Sequence, residues 1–538
     1  MTTFVNTKPK VKSLSVKVDC QHDPLNIFYH LTYQGKKKST MLLESSEIGS
    51  KHAEKSLLVL SSVLRIVCVE RQVTLSALNA NGVQALKLLK LNLTDDETSS
   101  SDEHLTLSYE ENDRNQDEEG RLFSRSPVDV LRKIQQVFGK SNEPYSSFLC
   151  GLFGYDLIET FETLPEVNTG EADTPNYVFY LAETLLVIDH KRYSARLIGN
   201  VFDGENQEAC YFDMSRTLAD LKRQIESVSE GTVFALPDLN THTQKQSVAV
   251  DVSRSEYKSV VGAMKQEIAK GEVFQIVPSR TFSLPCTHPF LSYRKLKSLN
   301  PSPYMFFMND DNFQLFGASP ESAVKYEESS RHVEVYPIAG TRPRGKYHDG
   351  QLNLDLDAKI EAELKMDEKE VTEHLMLVDL ARNDIARISK PGSRHVPELL
   401  NVDRYSHVMH LVSRVRGELR NELDALHAYL ACMNMGTLVG APKIKAAEIL
   451  RRVEKKRRGA YGGAVGYLDG ERNMDTCIVI RSALIKNQMA YIKAGAGIVH
   501  DSDPDAEVTE TLNKAMAVIK AIAEAHHFDI QIDDEVSV

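Results

Sequence analysis

Tryptophan is missing from all 538 residues, and the chain's other scarcities are as informative. Its 7 cysteines, at positions 20, 68, 150, 210, 286, 432 and 477, are odd in number, far apart and never in CxxC spacing. That pattern indicates neither a disulfide framework nor a zinc site, and it fits a reducing, cytoplasmic compartment. No segment holds the ~20 apolar residues that cross a bilayer. The opening stretch MTTFVNTKPKVKSLSVKV alternates polar with apolar residues and has no apolar signal core, so neither secretion nor membrane insertion is expected. Basic arms and stripes are absent too. With a formal net charge of -12, nucleic acid is a poor partner, because phosphate contacts need clustered Lys and Arg. The one basic run, RRVEKKRR at 451 to 458, reads as cations favoured at a helix C-terminus before Gly459. No repeat recurs at a solenoid period.

What is present is a globular composition, 42% hydrophobic and 26% charged, on a chain too long for one core, since domains divide beyond roughly 250–300 residues. The sharpest shift in composition falls at 95 to 120, DDETSSSDEHLTLSYEENDRNQDEEG, which is acidic, poor in large apolar side chains and predicted to be an exposed loop. Before it, RIVCVE and VTLSAL read as paired strands and 82 to 89 as a helix packed on them. After it, 177 to 189 and 195 to 202 read as strands of an α+β pattern. Residues 227 to 247 collect Ser, Thr, Gly and Pro and form the candidate linker. Two regions result: 1 to 245, and a region from 250 to 530.

The second region carries the chemistry. A helix is predicted over 253 to 270, with Val260, Val261, Met264 and Ile268 at helical spacing and Gly271 ending it. The strand after it places polar Gln275 among apolar neighbours, either as a satisfied strand residue or as a ligand contact. Small residues then surround reactive ones in FGASPES (316 to 322), PIAGTRPRG (337 to 345), NMGTLVGAPK (434 to 443) and KAGAGIV (493 to 499). Backbone of that kind lets a ligand approach N–H groups closely. Two helices bring carboxylates. One, at 368 to 388, sets Glu373 one turn before Leu377. The other opens on Ser502-Asp503-Pro504, a cap followed by an N1 proline, with Glu507 and Glu510 on one face. A helix dipole also favours acids in a first turn, and Glu510 has Lys514 as an i+4 partner, so those carboxylates have a purely structural reading as well.

Taken together, SPES, PIAGTRPRG, HLMLVDLARNDIARI, YSHVMHLVSRV, MNMGTLVGAPK, YGGAVGY, DTCIVIRSA, KAGAGIV and E-x-x-E-T-x-N-K-A at 507 to 515 resemble the chorismate-utilising enzymes, in family order across 250 to 525. The resemblance is strongest to their anthranilate-forming branch. It implies a large α/β sandwich of two stacked antiparallel sheets flanked by helices. It also implies Mg²⁺ as cofactor, with Glu373 and Glu510 as ligands and Glu507 assisting; Mg²⁺ takes a few carboxylates plus water. Chorismate carries two carboxylates, so Arg481 would offer one of them a bidentate fork, with Gly495, Ala496, Gly497, Tyr461 and Lys514 completing the cradle. Glu321 of SPES matches the general acid for loss of the C4 hydroxyl, which implies a raised pKa. His410 matches a residue near the lyase step, and Thr341 and Thr437 look like polar lining of the same pocket.

Two positions separate the relatives. Isochorismate and salicylate synthases activate water with a lysine where this chain has Gln275, and an amide is no base at neutral pH. Aminodeoxychorismate synthases carry PIKGT, whose lysine adds to the ring, where this chain has Ala339. Ammonia is therefore the expected nucleophile, and anthranilate and pyruvate are the expected products. No cysteine sits in the glycine-flanked elbow that glutamine hydrolysis uses, so a separate glutamine amidotransferase subunit is implied, in a heterotetramer of two of each. MLLES (41 to 45) and NPSPYMFF (300 to 307) resemble a tryptophan-sensing site formed by Glu44, Ser45, Lys51, Asn300, Pro303, Tyr304, Met305 and Phe306. Feedback inhibition follows from that resemblance, and a tryptophan-free chain could still be made when tryptophan is scarce, although composition drift explains the absence too. One departure stands out: Val439 occupies a position where the family usually has serine.

Overall fold

The computed structural model describes residues 10–19, 23–45, 55–92, 97–111, 118–139, 143–228, 244–347, 349–405 and 408–534. Its architecture follows from two long strands, Lys55–Val69 and Tyr177–Asp189, which pair antiparallel along their length. Both are rich in β-branched and large apolar residues, as the sequence reading of 177 to 189 anticipated. Their register slips between Val59 and Leu64, around Ser61 and Ser62. Bulges of this kind bend a strand, and here the paired strands pass from one sheet into another. Glu183 satisfies the bend, accepting from Ser61, Asn79 and Asn81.

On one side of the bend the ladder runs through Thr40–Glu44, Tyr304–Asn309, Gln314–Ser319, Ser482–Lys486, Met489–Gly495 and Ser279–Pro285. On the other it runs through Leu149–Phe153, Ala464–Leu468, Met474–Ile478, Ser322–Glu327, His332–Val335 and Val408–Glu418. These pairings are antiparallel. The sheets stack on a dry layer that includes Met41, Phe148, Val178, Phe306, Phe313 and Val479. Helices Pro24–Leu31, Gln207–Ser227, Pro289–Leu299 and Pro504–His526 cover the first sheet. Helices Ala80–Lys90, Asp129–Phe138, Glu368–Ala386 and Ala425–Cys432 cover the second. The expected helix-flanked sandwich of two antiparallel sheets is what the chain forms. The two sequence regions interleave in it, since Thr40–Glu44 pairs with Tyr304–Asn309 and Leu149–Phe153 with Ala464–Leu468.

The acidic stretch at 95 to 120 is not only loop. Glu97–Ser100 pairs with His104–Ser108, and Leu105 and Leu107 are fully buried. The short alternation HLTLS drives this pairing despite its acidic flanks. Of the candidate linker, 229 to 243 lies outside the described residues, and Gln244–Val250 is a strand. The helix predicted over 253 to 270 runs Arg254–Ala269, and Ser253 and Glu256 form a capping box before it that the sequence reading did not single out. Among the described residues no helix is long and apolar enough to cross a membrane.

Candidate active site

Two neighbouring crossovers between the sheets carry the central side chains. Glu321 lies where Gln314–Ser319 of one sheet passes into Ser322–Glu327 of the other, and Arg481 lies where Met474–Ile478 returns to Ser482–Lys486. The crossovers are stitched together: Ile478 N donates to Glu321 O at 3.0 Å, and Ala318 N donates to Arg481 O at 3.1 Å. Arg481 turns the chain with φ +49, a left-handed conformation that costs a branched-out side chain about 1–3 kcal/mol and clusters at functional sites.

Glu321 is 8% exposed, and its Oε1 accepts a 3.0 Å hydrogen bond from the Thr437 hydroxyl. Burial pushes its carboxyl up to about 8, against the opposing pull of the Thr437 hydrogen bond and the Lys514 charge. It is therefore mostly protonated at neutral pH, as a proton donor must be. Thr437 is held in place by the helix Glu368–Ala386. Gly436 approaches Leu380 so closely that a Cβ would meet it at 1.9 Å, and Lys443 Nζ donates to Asp384 Oδ2 at 2.6 Å.

His410 lies opposite Thr341 on paired strands, its Nδ1 3.0 Å from Thr341 Oγ1 and 3.3 Å from the Gly340 carbonyl. With Nδ1 protonated and donating to that carbonyl, which only accepts, Nε2 keeps a free lone pair. Burial holds the imidazole down at about 4, and the nearby Arg481 charge adds to the effect. Ala339 sits in the same strand opposite Leu411.

Arg481 is the buried cation of this cluster. Burial lowers its pKa, and among the described residues no carboxylate lies within ion-pair distance of its guanidinium, whose Nη1 donates to the Lys514 carbonyl at 3.3 Å. Burying such a cation without an anion costs several kcal/mol. Tyr461, pushed up to about 12 by burial, stays neutral beside it. Gly495 lies against Tyr461, where a Cβ would sit 3.1 Å from the hydroxyl, and a Cβ on Gly497 would sit 2.6 Å from Gln275 Nε2. Lys514 Nζ reaches the Gly495 carbonyl at 3.0 Å. The Ala496 N–H, expected in the cradle, already donates to Pro278 O at 3.3 Å, because Ala496 is drawn into the sheet beneath. Gln275 Oε1 is buried and has no hydrogen-bond partner.

The three carboxylates expected at a metal come from two helices that converge beside this pocket. Burial raises the pKa of Glu373, with Glu370, Glu507 and Glu510 adding negative charge around it. Glu507 is raised likewise, and its Oε2 is buried without a partner. Glu510 forms the i+4 pair with Lys514 at 2.6 Å, so the structural reading of that residue is realised here. Among the described residues no three acidic, histidine or cysteine groups close on a point. The donors are nonetheless all hard oxygens, which suit Mg²⁺ completed by water and substrate.

A second cavity opens between the sheets, lined by Leu43, Ser45, Pro303, Tyr304, Phe306 and Tyr467 with Lys325, Arg416 and Asp475 at its polar side. Strand alternation divides the residues expected to sense tryptophan. Ser45, Tyr304 and Phe306 face this space, and Ser45 Oγ is buried without a partner. Glu44 and Met305 border the cavity as well, but the Met305 side chain packs into the helix layer. The Glu44 carboxylate also turns that way, accepting from Tyr293 at 2.6 Å and from Lys297 at 2.7 Å. Asn300 follows the helix Pro289–Leu299 and does not line the cavity. Lys51 lies outside the described residues.

One open position is placed and one sequence reading changes. Val439 is fully buried in an apolar cluster with Tyr155, Ile158, Val261 and Ala446, so its side chain faces the core. The basic run at 451 to 458 is not simply a charged helix end: Arg451 pairs with Asp156 and Glu159, and Arg458 with Glu454, at 7% and 2% exposure for the two arginines. Neither the Asp384–Lys443 pair nor the Arg458 contacts were singled out in the sequence, although Asp384 and Lys443 fall inside the motifs quoted above.

Comparison with known proteins adds three findings. The profile of a family described as chorismate binding enzyme matches residues 92–520. The chain is 50% identical over 506 residues to the curated anthranilate synthase component 1 of Vibrio cholerae serotype O1, covering 94% of this chain and 95% of that one. It is 48% identical over 523 residues to that of Escherichia coli K12, covering 97% and 98%. Among solved structures, anthranilate synthase component I from Streptococcus pneumoniae superposes with a TM-score of 0.67 at 30% identity, over 88% of this chain and 93% of that one. The menaquinone-specific isochorismate synthase of Escherichia coli shares the fold, with a TM-score of 0.65 at 17% identity over 96% and 95%.

Proposed function

The chain belongs to the chorismate-binding enzymes, in the anthranilate synthase component 1 branch, and from that membership we propose that it converts chorismate and ammonia into anthranilate, pyruvate and water. One observation supports the reading: a buried, protonated Glu321 lies on a crossover hydrogen-bonded beside that of a buried Arg481, which has no carboxylate partner among the described residues. Such a guanidinium suits an anionic substrate, and such an acid suits a leaving hydroxyl.

In this reading Arg481, Tyr461 and the backbone at Gly495 and Gly497 orient the carboxylates of chorismate. Glu321 gives its proton to the C4 hydroxyl, which leaves as water while ammonia bonds to C2, forming aminodeoxyisochorismate. His410 is neutral with Nε2 free, so it is equipped to take the C2 proton as the C3–O bond breaks and pyruvate leaves as its enol. Aromatisation drives that second step. Glu373 and Glu510, with Glu507 beside them, would hold Mg²⁺, whose chemistry is to neutralise the ring carboxylate. No amine stands at Gln275 or Ala339 to activate water or add to the ring.

Ammonia comes from a partner glutamine amidotransferase subunit. Each of Cys68, Cys150, Cys286, Cys432 and Cys477 is buried, with its thiol pushed up by burial, the opposite of an activated nucleophile. Tryptophan acts as feedback inhibitor from the second cavity, where Ser45 Oγ offers an unused hydrogen-bonding group. The test is direct. Purified chain, chorismate, Mg²⁺ and an ammonium salt should yield anthranilate fluorescence; no product, or product only after adding a separate lyase, would sink the proposal.

A further inference from the structure

Arg458 closes the basic run that composition alone assigns to a helix end, yet it is 2% exposed. The helix Lys443–Glu454 stops at Lys455, in a left-handed conformation with φ +56, and the chain then turns inward. A buried guanidinium is tolerated only when its donors are met. Here Nε and Nη2 donate to Glu454 at 2.9 and 2.6 Å, Nη2 also donates to the Val277 carbonyl at 2.6 Å, and Nη1 donates to the Leu438 carbonyl at 2.7 Å. Its guanidinium carbon lies 4.7 Å from the Tyr155 ring centre and 5.9 Å from that of Tyr461.

Three of these contacts reach segments that carry candidate site residues. Val277 is two residues beyond Gln275, Leu438 follows Thr437, and Tyr461 faces Gly495. Glu454 extends the reach by accepting from both the N–H and the hydroxyl of Ser279, at 2.8 and 2.9 Å. The strand segment 275 to 279 is thus fixed from behind by Arg458 and Glu454. In front, a Cβ on Gly495 would come within 2.8 Å of Pro278 O, so there is no slack on that side either. A small shift of Val277 would carry directly into Gln275 and the glycine backbone of the cradle. Lysine cannot reproduce this, because its point charge lacks the planar fork that meets three differently placed acceptors at once.

We propose that Arg458 is a positioning residue for substrate: it touches no reacting atom, but it sets the spacing between the Gln275 strand, the Thr437 turn and Tyr461 that together receive chorismate. The proposal rests on the reading of this pocket as a chorismate site. Arg458→Lys should raise the KM for chorismate at least tenfold, while the Mg²⁺ concentration for half-maximal rate stays within twofold, because the hydrogen bonds of the Arg458 guanidinium go to Glu454, Val277 and Leu438 and not to the Glu373 and Glu510 helices. In Arg458→Ala, millimolar guanidinium should restore the chorismate KM where sodium chloride of equal ionic strength does not. Arg452→Ala, whose side chain is 62% exposed, should behave as the unsubstituted chain. If Arg458→Lys keeps its chorismate KM and loses rate only in proportion to its folded fraction, the role is structural and the proposal falls. Should Arg458→Ala fail to fold, the lysine variant still decides. Absence of anthranilate from the unsubstituted chain would instead overturn the assignment of the pocket, so the two failures are distinguishable.

Discussion

Replacing Glu321 by glutamine should remove activity while making the protein more stable at neutral and alkaline pH, and these opposite signs make the test sharp. The isosteric amide keeps an oxygen to accept the Thr437 hydrogen bond, now 3.0 Å long, but has no acidic proton to give. General acids contribute about 10²- to 10⁴-fold, so kcat should fall by that range with the chorismate KM within a few-fold. Stability moves the other way. The folded carboxyl ionises near 8 instead of the usual 4.5, so its charged form costs on the order of a few kcal/mol at about 1.4 kcal/mol per tenfold. Between those pH values the folded chain holds a proton that the unfolded chain releases, so stability falls as pH rises through the window, and the cost is complete above about 8. Glutamine does not titrate. The melting temperature of Glu321→Gln should therefore exceed that of the unsubstituted chain by a margin that grows from pH 5 to pH 8. The unsubstituted kcat should also decline above pH 8 as the acid loses its proton. Anthranilate fluorescence under saturating chorismate and ammonium, with calorimetry at four pH values, measures both. Equal losses of kcat and chorismate binding, or a melting difference flat with pH, would refute the reasoning.

Other substitutions probe the rest of the site. Glu44→Lys sets a second ammonium beside Lys297, so it should lower the melting temperature and raise the inhibition constant for tryptophan at least tenfold, with uninhibited kcat unchanged; an unaltered inhibition constant counts against the second cavity as sensor. Glu373→Gln should weaken Mg²⁺ binding measured by titration calorimetry about tenfold or more and leave the fold intact, whereas unchanged binding would remove that residue from the ligand set. Val439→Ser should cost about 1–3 kcal/mol of stability by thinning an apolar cluster, with no change in the chorismate KM; a KM shift without a melting shift would return that position to the pocket.

How much of this was legible beforehand depends on whether a local signal carried it. The strand 177 to 189 and the helices at 254 and 504 announce themselves through an apolar run, helical spacing and a cap followed by an N1 proline, and each forms where its residues indicate. The candidate catalytic carboxylates are legible through motifs, and folding adds what a motif lacks: the burial that keeps Glu321 protonated and the carbonyl within reach of His410 Nδ1. The bend at Ser61 and Ser62 was not readable, because two small polar residues inside an apolar strand carry no sign of which sheet each half joins.

The residues expected to sense tryptophan show the limit most clearly. Resemblance places Glu44 and Ser45 at one site, but a strand sends neighbours to opposite faces, and both faces of Thr40–Glu44 are buried. When one face is polar, hydrophobic alternation reveals which side a residue takes; when both are apolar, that marker is gone. Only the partner elements decide it. Here Tyr293 and Lys297 take Glu44 into the helix layer, and Ser45 is left to the cavity. Glu44 borders that cavity while Tyr293 and Lys297 hold its carboxylate, so its charge reversal is expected to alter inhibition without altering the uninhibited rate.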